Sequence, residues 1–154
     1  MRLNNYKKTE RLLENYSALK GYIEMRQKEL EEIEYGGISA IELGEKTAPT
    51  NKINDPVFEE VVSIDRYRKE MKKEIEKKEK IIKKIDFALG KLDNLQRAVI
   101  KLRYLEGKQW WQVGAEVHYS ERWCKHLRSE AINKMAIIIY GNNSLLLPAT
   151  EEIV

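Results

Sequence analysis

The sequence predicts an all-α fold in which long helices precede a small domain of short helices. Its 154 residues include only eight glycines and three prolines, while 34% are charged. Two stretches repeat apolar residues at alternating steps of three and four, which is typical of long helices with one apolar seam. Three shorter amphipathic segments follow position 92. With 42% apolar residues a core is available, and few glycines and prolines favour helices over a β-sandwich or barrel.

Composition also excludes several classes of site. Cys124 is the one cysteine, so no disulfide forms within the chain, and a cysteine zinc cluster would need more ligands than Cys124 and two histidines supply. No apolar run approaches the roughly 20 residues that cross a membrane, and the first residues lack the apolar core of a signal peptide. We therefore expect a cytoplasmic protein with no metal, no cofactor and no membrane contact.

The first predicted helix covers about residues 3–34. Asn5 and Thr9 precede its seam and are candidates for its start. The Tyr-Gly-Gly sequence at 35–37 is predicted to end it, because glycine adopts the left-handed conformation that closes many helices. Arg26 is the polar residue within the seam. The seam consists of Leu12, Tyr16, Leu19, Ile23, Arg26, Leu30 and Ile33.

A connector, residues 36–56, separates the first helix from the second. It contains two of the three prolines and shows no stable period, and its length is unusual for a simple loop. Asp55 and Pro56 predict the next helix start, because a capping carboxylate is followed by a residue without an unpaired amide.

The second long helix is predicted over about residues 56–90. Arg68 and Lys78 occupy seam positions, where they weaken the seam and set register or partner choice. The dense Lys and Glu residues off the seam are interpreted as a solvated face. Two seams predict an antiparallel hairpin, a dimerising coiled coil, or both, so residues 1–90 are interpreted as a scaffold that forms a homodimer or higher oligomer. This second seam consists of Val61, Ile64, Arg68, Met71, Ile75, Lys78, Ile82, Ile85 and Leu89.

Three short helices are predicted in the segment 92–135, over about 93–105, 109–117 and 120–139. Ser120 is a suitable N-cap for the third helix, and Glu121 places negative charge at its positive end. Tyr119 and Cys124 have the spacing of a hydrophobic staple. The small residues Gly114 and Ala115 allow close contact between helices. A short helix, a tight turn and a capped helix form a helix-turn-helix by geometry.

The third helix has one apolar stripe and one basic face. In a helix-turn-helix the second helix of the motif enters the DNA major groove. Trp110 and Trp111 are adjacent, so they cannot both face one core. Trp110 shares helical spacing with Val113 and Val117, and we therefore expect Trp110 in the core and Trp111 at the surface. The apolar stripe consists of Cys124, Leu127, Ala131, Ile132 and Met135, and the other face carries Arg122, Lys125, His126, Arg128 and Ser129.

The segment 92–135 matches a known motif at the positions Leu92, Gln96, Arg97, Val99, Ile100, Leu102, Arg103, Tyr104, Glu106, Gly107, Trp110, Val113, Gly114, Ser120, Cys124, Leu127, Ala131, Ile132, Lys134 and Met135. The motif is Leu-x-x-x-Gln-Arg-x-Val-Leu-x-Leu-Arg-Tyr-x-Glu-Gly, followed by an aromatic residue, Ile-Ala, a turn and Ser. Through these residues the segment resembles region four of sigma factors, which reads the promoter −35 element. The resemblance implies a sigma-region-4-like helix-turn-helix domain over 91–140, after the long helical hairpin or coiled coil and before a tail, 141–154.

The resemblance and the motif together define candidate DNA contacts on the third helix. Arg122, near the helix start, is the candidate for a bidentate contact to guanine. Lys125 and Arg128 are candidates for bases or phosphates. For Trp123, packing competes with contact to a thymine methyl group. The candidate DNA-binding residues are Ser120, Glu121, Arg122, Trp123, Lys125, His126, Arg128 and Ser129.

The layout of the whole chain resembles the ArpU/RinA-type phage regulators, small activators of late genes. The resemblance implies a DNA-binding transcription regulator in the host bacterial cytoplasm, with double-stranded DNA and RNA polymerase as partners. Two alternatives remain: a small terminase-like DNA-packaging subunit, and a stand-alone sigma factor, which the lack of a region-two segment disfavours. The sequence contains no phosphate loop, dinucleotide fingerprint or nucleophile elbow, so we expect no enzyme activity and no catalytic residue.

Overall fold

The computed structural model of the protein describes residues 2–43 and 56–141. Every regular element in these two ranges is helical, and neither range contains a strand, so the predicted all-α class is confirmed for the described chain. The helices are α1 (Arg2–Glu14), α2 (Tyr16–Leu43), α3 (Pro56–Gly90), α4 (Asn94–Ile100), α5 (Trp110–Val117) and α6 (Glu121–Tyr140). A π-helical turn, Lys101–Leu105, continues α4.

The described residues form two compact units, and one of them includes parts of the chain that are distant in sequence. The terminal unit contains residues 2–18 and 81–141, while the hairpin unit contains residues 19–43 and 56–80. The domain boundary predicted from the sequence lies near residue 90. The division differs because α1 packs against α6 and therefore belongs with the C-terminal helices.

The hairpin unit pairs α2 with α3 in antiparallel order. Gln27 donates from Nε2 to Glu79 Oε1 at 3.0 Å, and Glu34 lies 3.0 Å from Lys72 Nζ, so later residues of α2 meet earlier residues of α3. This confirms antiparallel pairing within one chain, one of the predicted alternatives. The buried seam residues of this unit are Ile23, Met71 and Ile75.

The first helical stretch is broken where one continuous helix was predicted. α1 ends at Glu14 and α2 begins at Tyr16, with Asn15 between them. The Asn15 side chain and backbone amide both donate to the carbonyl of Arg11, at 2.8 and 3.1 Å. The Asn15 side chain thus shares the Arg11 carbonyl with the regular helical hydrogen bond. The break lies three residues before the boundary between the two units, which falls after Ala18 within α2.

The predicted helix start near residue 3 agrees with the observed start at Arg2. The two candidate starting residues, Asn5 and Thr9, instead lie inside α1, where the buried Thr9 hydroxyl donates to the Asn5 carbonyl at 2.9 Å. The predicted stop at 35–37 also fails, because α2 continues to Leu43. Glycine lowers helix stability without forcing a stop. Residues 36–43 of the predicted connector 36–56 are therefore helical. Residues 44–55 of the connector, which include the predicted Asp55 cap, lie outside the described residues. The predicted tail, from residue 142, also lies outside them.

The later helices follow the predicted bounds closely. α3 spans the predicted range, and α5 and α6 begin and end within one or two residues of expectation. The predicted helix 93–105 is divided into α4 and the π-helical turn, and Asp93 caps α4 by accepting from the Gln96 amide at 2.8 Å. The chain then reverses at Gly107, whose φ of +69° suits glycine.

Arg97 fixes the junction between α3 and α4. Its guanidinium donates to the carbonyls of Leu89 at 3.0 Å, Gly90 at 3.0 Å and Leu92 at 2.8 Å. The last carbonyls of a helix have no partner within the helix, so an arginine that binds them stabilises the end. This junction holds the end of α3 against the short helices.

Candidate nucleic-acid interface

α5 and α6 are joined by a tight turn at residues 118–120. His118 adopts the left-handed conformation at φ 61°, and the amide of Tyr119 donates to the Gly114 carbonyl at 3.1 Å. Ser120 is extended, and its hydroxyl accepts from the Trp123 amide at 3.2 Å. The predicted Ser120 cap is therefore confirmed, and Glu121 occupies the first turn of α6 as expected.

Gly114 allows the chain to return close to α5. A Cβ atom built on Gly114 would lie 2.7 Å from the carbonyl oxygen of Tyr119. No larger residue fits there without moving the turn. Ala115, predicted to share this close contact, is instead exposed, so only Gly114 serves that role.

Replacing Gly114 by alanine is expected to lower the free energy of unfolding by about 1–3 kcal/mol, because the new methyl group forces the turn outward. Thermal unfolding followed by circular dichroism measures the loss. Gly21→Ala is the matched control, since that glycine lies in a helix with open space around it and should gain about 0.5–1 kcal/mol. Equal effects of the two substitutions would show that the turn tolerates a side chain.

The apolar stripe of α6 is buried as predicted. Its five members have relative exposures of 6% or less. Trp110 is half-buried against this core while Trp111 is 63% exposed, which confirms the predicted difference between the two tryptophans. Burial raises the pKa of the Cys124 thiol, so the reactive thiolate is disfavoured and Cys124 acts as a core residue. The stripe consists of Cys124, Leu127, Ala131, Ile132 and Met135.

The opposite face of α6 is exposed over its first two turns. The rings of Trp123 and His126 lie 5.1 Å apart, and His126 Nε2 lies 3.3 Å from Glu130 Oε1. Trp123 is 45% exposed, so an apolar ring is available beside the basic side chains. The exposed candidate residues are Ser120, Glu121, Arg122, Trp123, Lys125 and His126.

Three cationic side chains surround the ring of Trp110. The centroid of the ring lies 5.1 Å from Arg103, 5.3 Å from Arg128 and 5.9 Å from Lys125. Arg103 also donates to the Lys108 carbonyl at 2.9 Å, so it has an internal structural role. Trp110 holds positive charge beside the start of α6 through cation–π attraction.

Arg128 and Ser129 face their own chain more than the other candidates do. Arg128 Nη1 lies 3.9 Å from Glu10 Oε1 of α1, and its Nε atom is buried with no hydrogen-bond partner among the described residues. The Ser129 hydroxyl donates to the Lys125 carbonyl at 3.1 Å. The structure therefore brings Arg128 to α1, whereas the helical period alone predicts it on the outward basic face.

Glu10 is a residue that no sequence motif identified. Its Oε1 accepts from the Tyr104 hydroxyl at 2.7 Å, and burial together with this carboxylate raises the pKa of Tyr104. Glu10 and Tyr104 are far apart in the chain, and no local spacing pattern relates them. Glu10 thus links α1 to the π-helical turn and, through Arg128, to α6.

The described ranges show neither a membrane-spanning helix nor a metal centre. No helix within them is long and apolar enough to cross a bilayer. No group of three His, Cys, Asp or Glu side chains within them is arranged to hold a metal ion.

The chain belongs to a protein family described as "Protein of unknown function (DUF722)". The model of that family matches residues 5–137, from α1 through most of α6. Comparison with curated proteins finds no match, and comparison with solved structures finds none either.

Proposed function

We propose that this protein is a sequence-specific DNA-binding transcription regulator that activates late genes of a phage or prophage. The observation that carries the proposal is the start of α6: a capped helix after a tight turn exposes Arg122, Trp123 and Lys125 on one face. A helix of this kind fits the major groove and presents its N-terminal side chains to base edges. The likeness of 92–135 to sigma region four supports the same conclusion.

The side chains at this surface have different proposed roles. Arg122 forms a bidentate contact to guanine, and Lys125 binds a phosphate or an adjacent base. Ser120 binds a phosphate, and Trp123 and His126 present a ring pair to a sugar or a thymine methyl group. Glu121 stabilises the positive end of α6, which also attracts the DNA backbone.

In this proposal the protein activates transcription because it is bound to DNA near the promoter. A bound regulator of this layout contacts RNA polymerase holoenzyme near the promoter, and self-association places two α6 helices on one site. Linking two DNA-binding domains raises the effective concentration of the second domain once the first has bound. The protein therefore adds to the sigma subunit instead of replacing it.

The proposal is tested by selecting binding sites from random double-stranded DNA with the full chain. We expect one enriched motif, and a promoter that contains it should give more transcript when the protein is added to holoenzyme. A promoter with the same bases in shuffled order is the control and should not respond.

Other outcomes of these reactions would contradict the proposal. Absence of an enriched motif would exclude sequence-specific recognition. A transcript from core polymerase and this protein without sigma would indicate a sigma factor. An enriched motif beside packaging genes, with no effect on transcription, would indicate a small terminase-like packaging subunit.

A further inference from the structure

The first three turns of α3 expose apolar side chains that a solvated helix would not carry. Phe58 is 68% exposed and Val61 58%. Farther along the same helix the seam residues Met71 and Ile75 are buried in the hairpin unit. The exposed apolar side chains of these turns include Phe58, Val61, Val62, Ile64 and Tyr67.

These side chains cover a wider arc than one neighbouring helix requires. At 3.6 residues per turn they span about 220° of the helix circumference, from Tyr67 to Val62. A helix that packs against one partner needs an apolar stripe of roughly 100°. Val61 and Ile64 continue the seam that α3 turns toward α2, whereas Phe58 and Val62 point about 90–130° away from it. Phe58 and Val62 therefore lie on a second apolar face of α3, distinct from the seam.

The second face is self-complementary. It is a shallow groove that contains Phe58, Glu59, Val62, Ser63 and Arg66. Its centre is apolar, Glu59 lies near one end, and Arg66 lies near the other, about 10 Å farther along the helix at 1.5 Å per residue. Glu59 and Arg66 have opposite charges at symmetric positions about Val62 and Ser63.

We infer that this second face binds a second copy of the chain, with the two α3 helices antiparallel about a two-fold axis beside Val62 and Ser63. In such an interface a contact from one residue to another is made twice. Glu59 of each copy meets Arg66 of the other, and Val62 packs near its own equivalent. Phe58 lies beside the same Arg66, where its ring attracts the guanidinium.

Charge also selects this arrangement over its alternatives. A parallel pair would oppose Glu59 with Glu59 and Arg66 with Arg66, and like charges across an interface disfavour binding. An unrelated helix would need to reproduce both charges at the same spacing, whereas a second copy does so by symmetry. The inference deepens the self-association within the proposed function and depends on that proposal for its biological role.

Charge reversal tests the interface in the full chain. By sedimentation equilibrium at micromolar concentration, the wild type should be a dimer. Glu59→Arg and Arg66→Glu should each raise the dimer dissociation constant about tenfold or more, because each creates two like-charge pairs. An equimolar mixture of the two variants should form a heterodimer with near wild-type affinity, since every pair is then opposite in charge.

Glu60→Arg is the matched control. Glu60 is the exposed neighbour of Glu59 on a different side of α3, so its reversal should leave the dissociation constant within about twofold. Circular dichroism of each variant verifies the helical content. A wild-type monomer, dimerisation of both single variants equal to that of the wild type, or no recovery in the mixture would each overturn the inference. Because mass is measured without DNA, a failure of DNA recognition with the expected masses would overturn only the proposed function.

Discussion

Shortening Leu13 to alanine is expected to lower the free energy of unfolding by about 2–5 kcal/mol, although the residue lies far from α6 in sequence. Leu13 is fully buried, and the helix that carries it packs against α6. Removing the branched end of this side chain leaves a cavity that rigid neighbouring helices do not fill. The three tryptophans all lie between positions 110 and 123, so their fluorescence during denaturation reports the terminal unit.

Lys7→Ala is the control for this prediction, because Lys7 is exposed on the same helix and should change stability by less than about 0.5 kcal/mol. A fragment that begins at residue 91, as the sequence-based domain boundary would place it, should unfold far more readily than the full chain. The reason is that this fragment lacks α1 and therefore exposes the surface of α6 that α1 covers in the full chain. Unchanged stability in both Leu13→Ala and the fragment would show that α1 is dispensable for the terminal unit.

Local signals made much of the fold predictable. The seam from Val61 to Leu89 identified α3 to within a residue or two, because a helix that packs along its length repeats apolar residues with the helical period. Ser120 identified the start of α6 for a similarly local reason, since its hydroxyl accepts an amide of the next turn. The buried stripe of α6 also followed from the period alone.

Contacts between distant parts of the chain were not predictable in this way. The seam through Tyr16 gave no sign of the break at Asn15, because a single polar residue is common within a helix. The helical period placed Arg128 on the outward basic face of the third helix, whereas its guanidinium lies beside Glu10 of α1. Its proximity to Glu10 depends on how α1 packs against α6, and the apolar period of α6 does not predict that contact.

Alanine substitution is expected to reduce DNA affinity at Arg122 and to reduce the stability of the fold at Arg128. Arg122 is exposed, so Arg122→Ala should leave stability unchanged and reduce affinity for the selected DNA site by about 1–3 kcal/mol, roughly 5- to 150-fold. Arg128 lies over Trp110 and near Glu10, so Arg128→Ala should lower the free energy of unfolding by about 1 kcal/mol. Fluorescence anisotropy measures the first effect, and denaturation followed by circular dichroism measures the second.

Salt dependence and a double-mutant cycle separate these roles. Lys125→Ala should reduce the slope of log affinity against log salt by about one if Lys125 binds a phosphate, whereas Arg128→Ala should leave the slope unchanged. Glu10→Gln keeps the size of the side chain and removes its charge, so the loss of stability in the Glu10→Gln/Arg128→Ala double variant should be smaller than the sum of the single losses. A reduced salt slope with unchanged stability in Arg128→Ala would instead make Arg128 a DNA contact, because its guanidinium would then leave Glu10 for a phosphate.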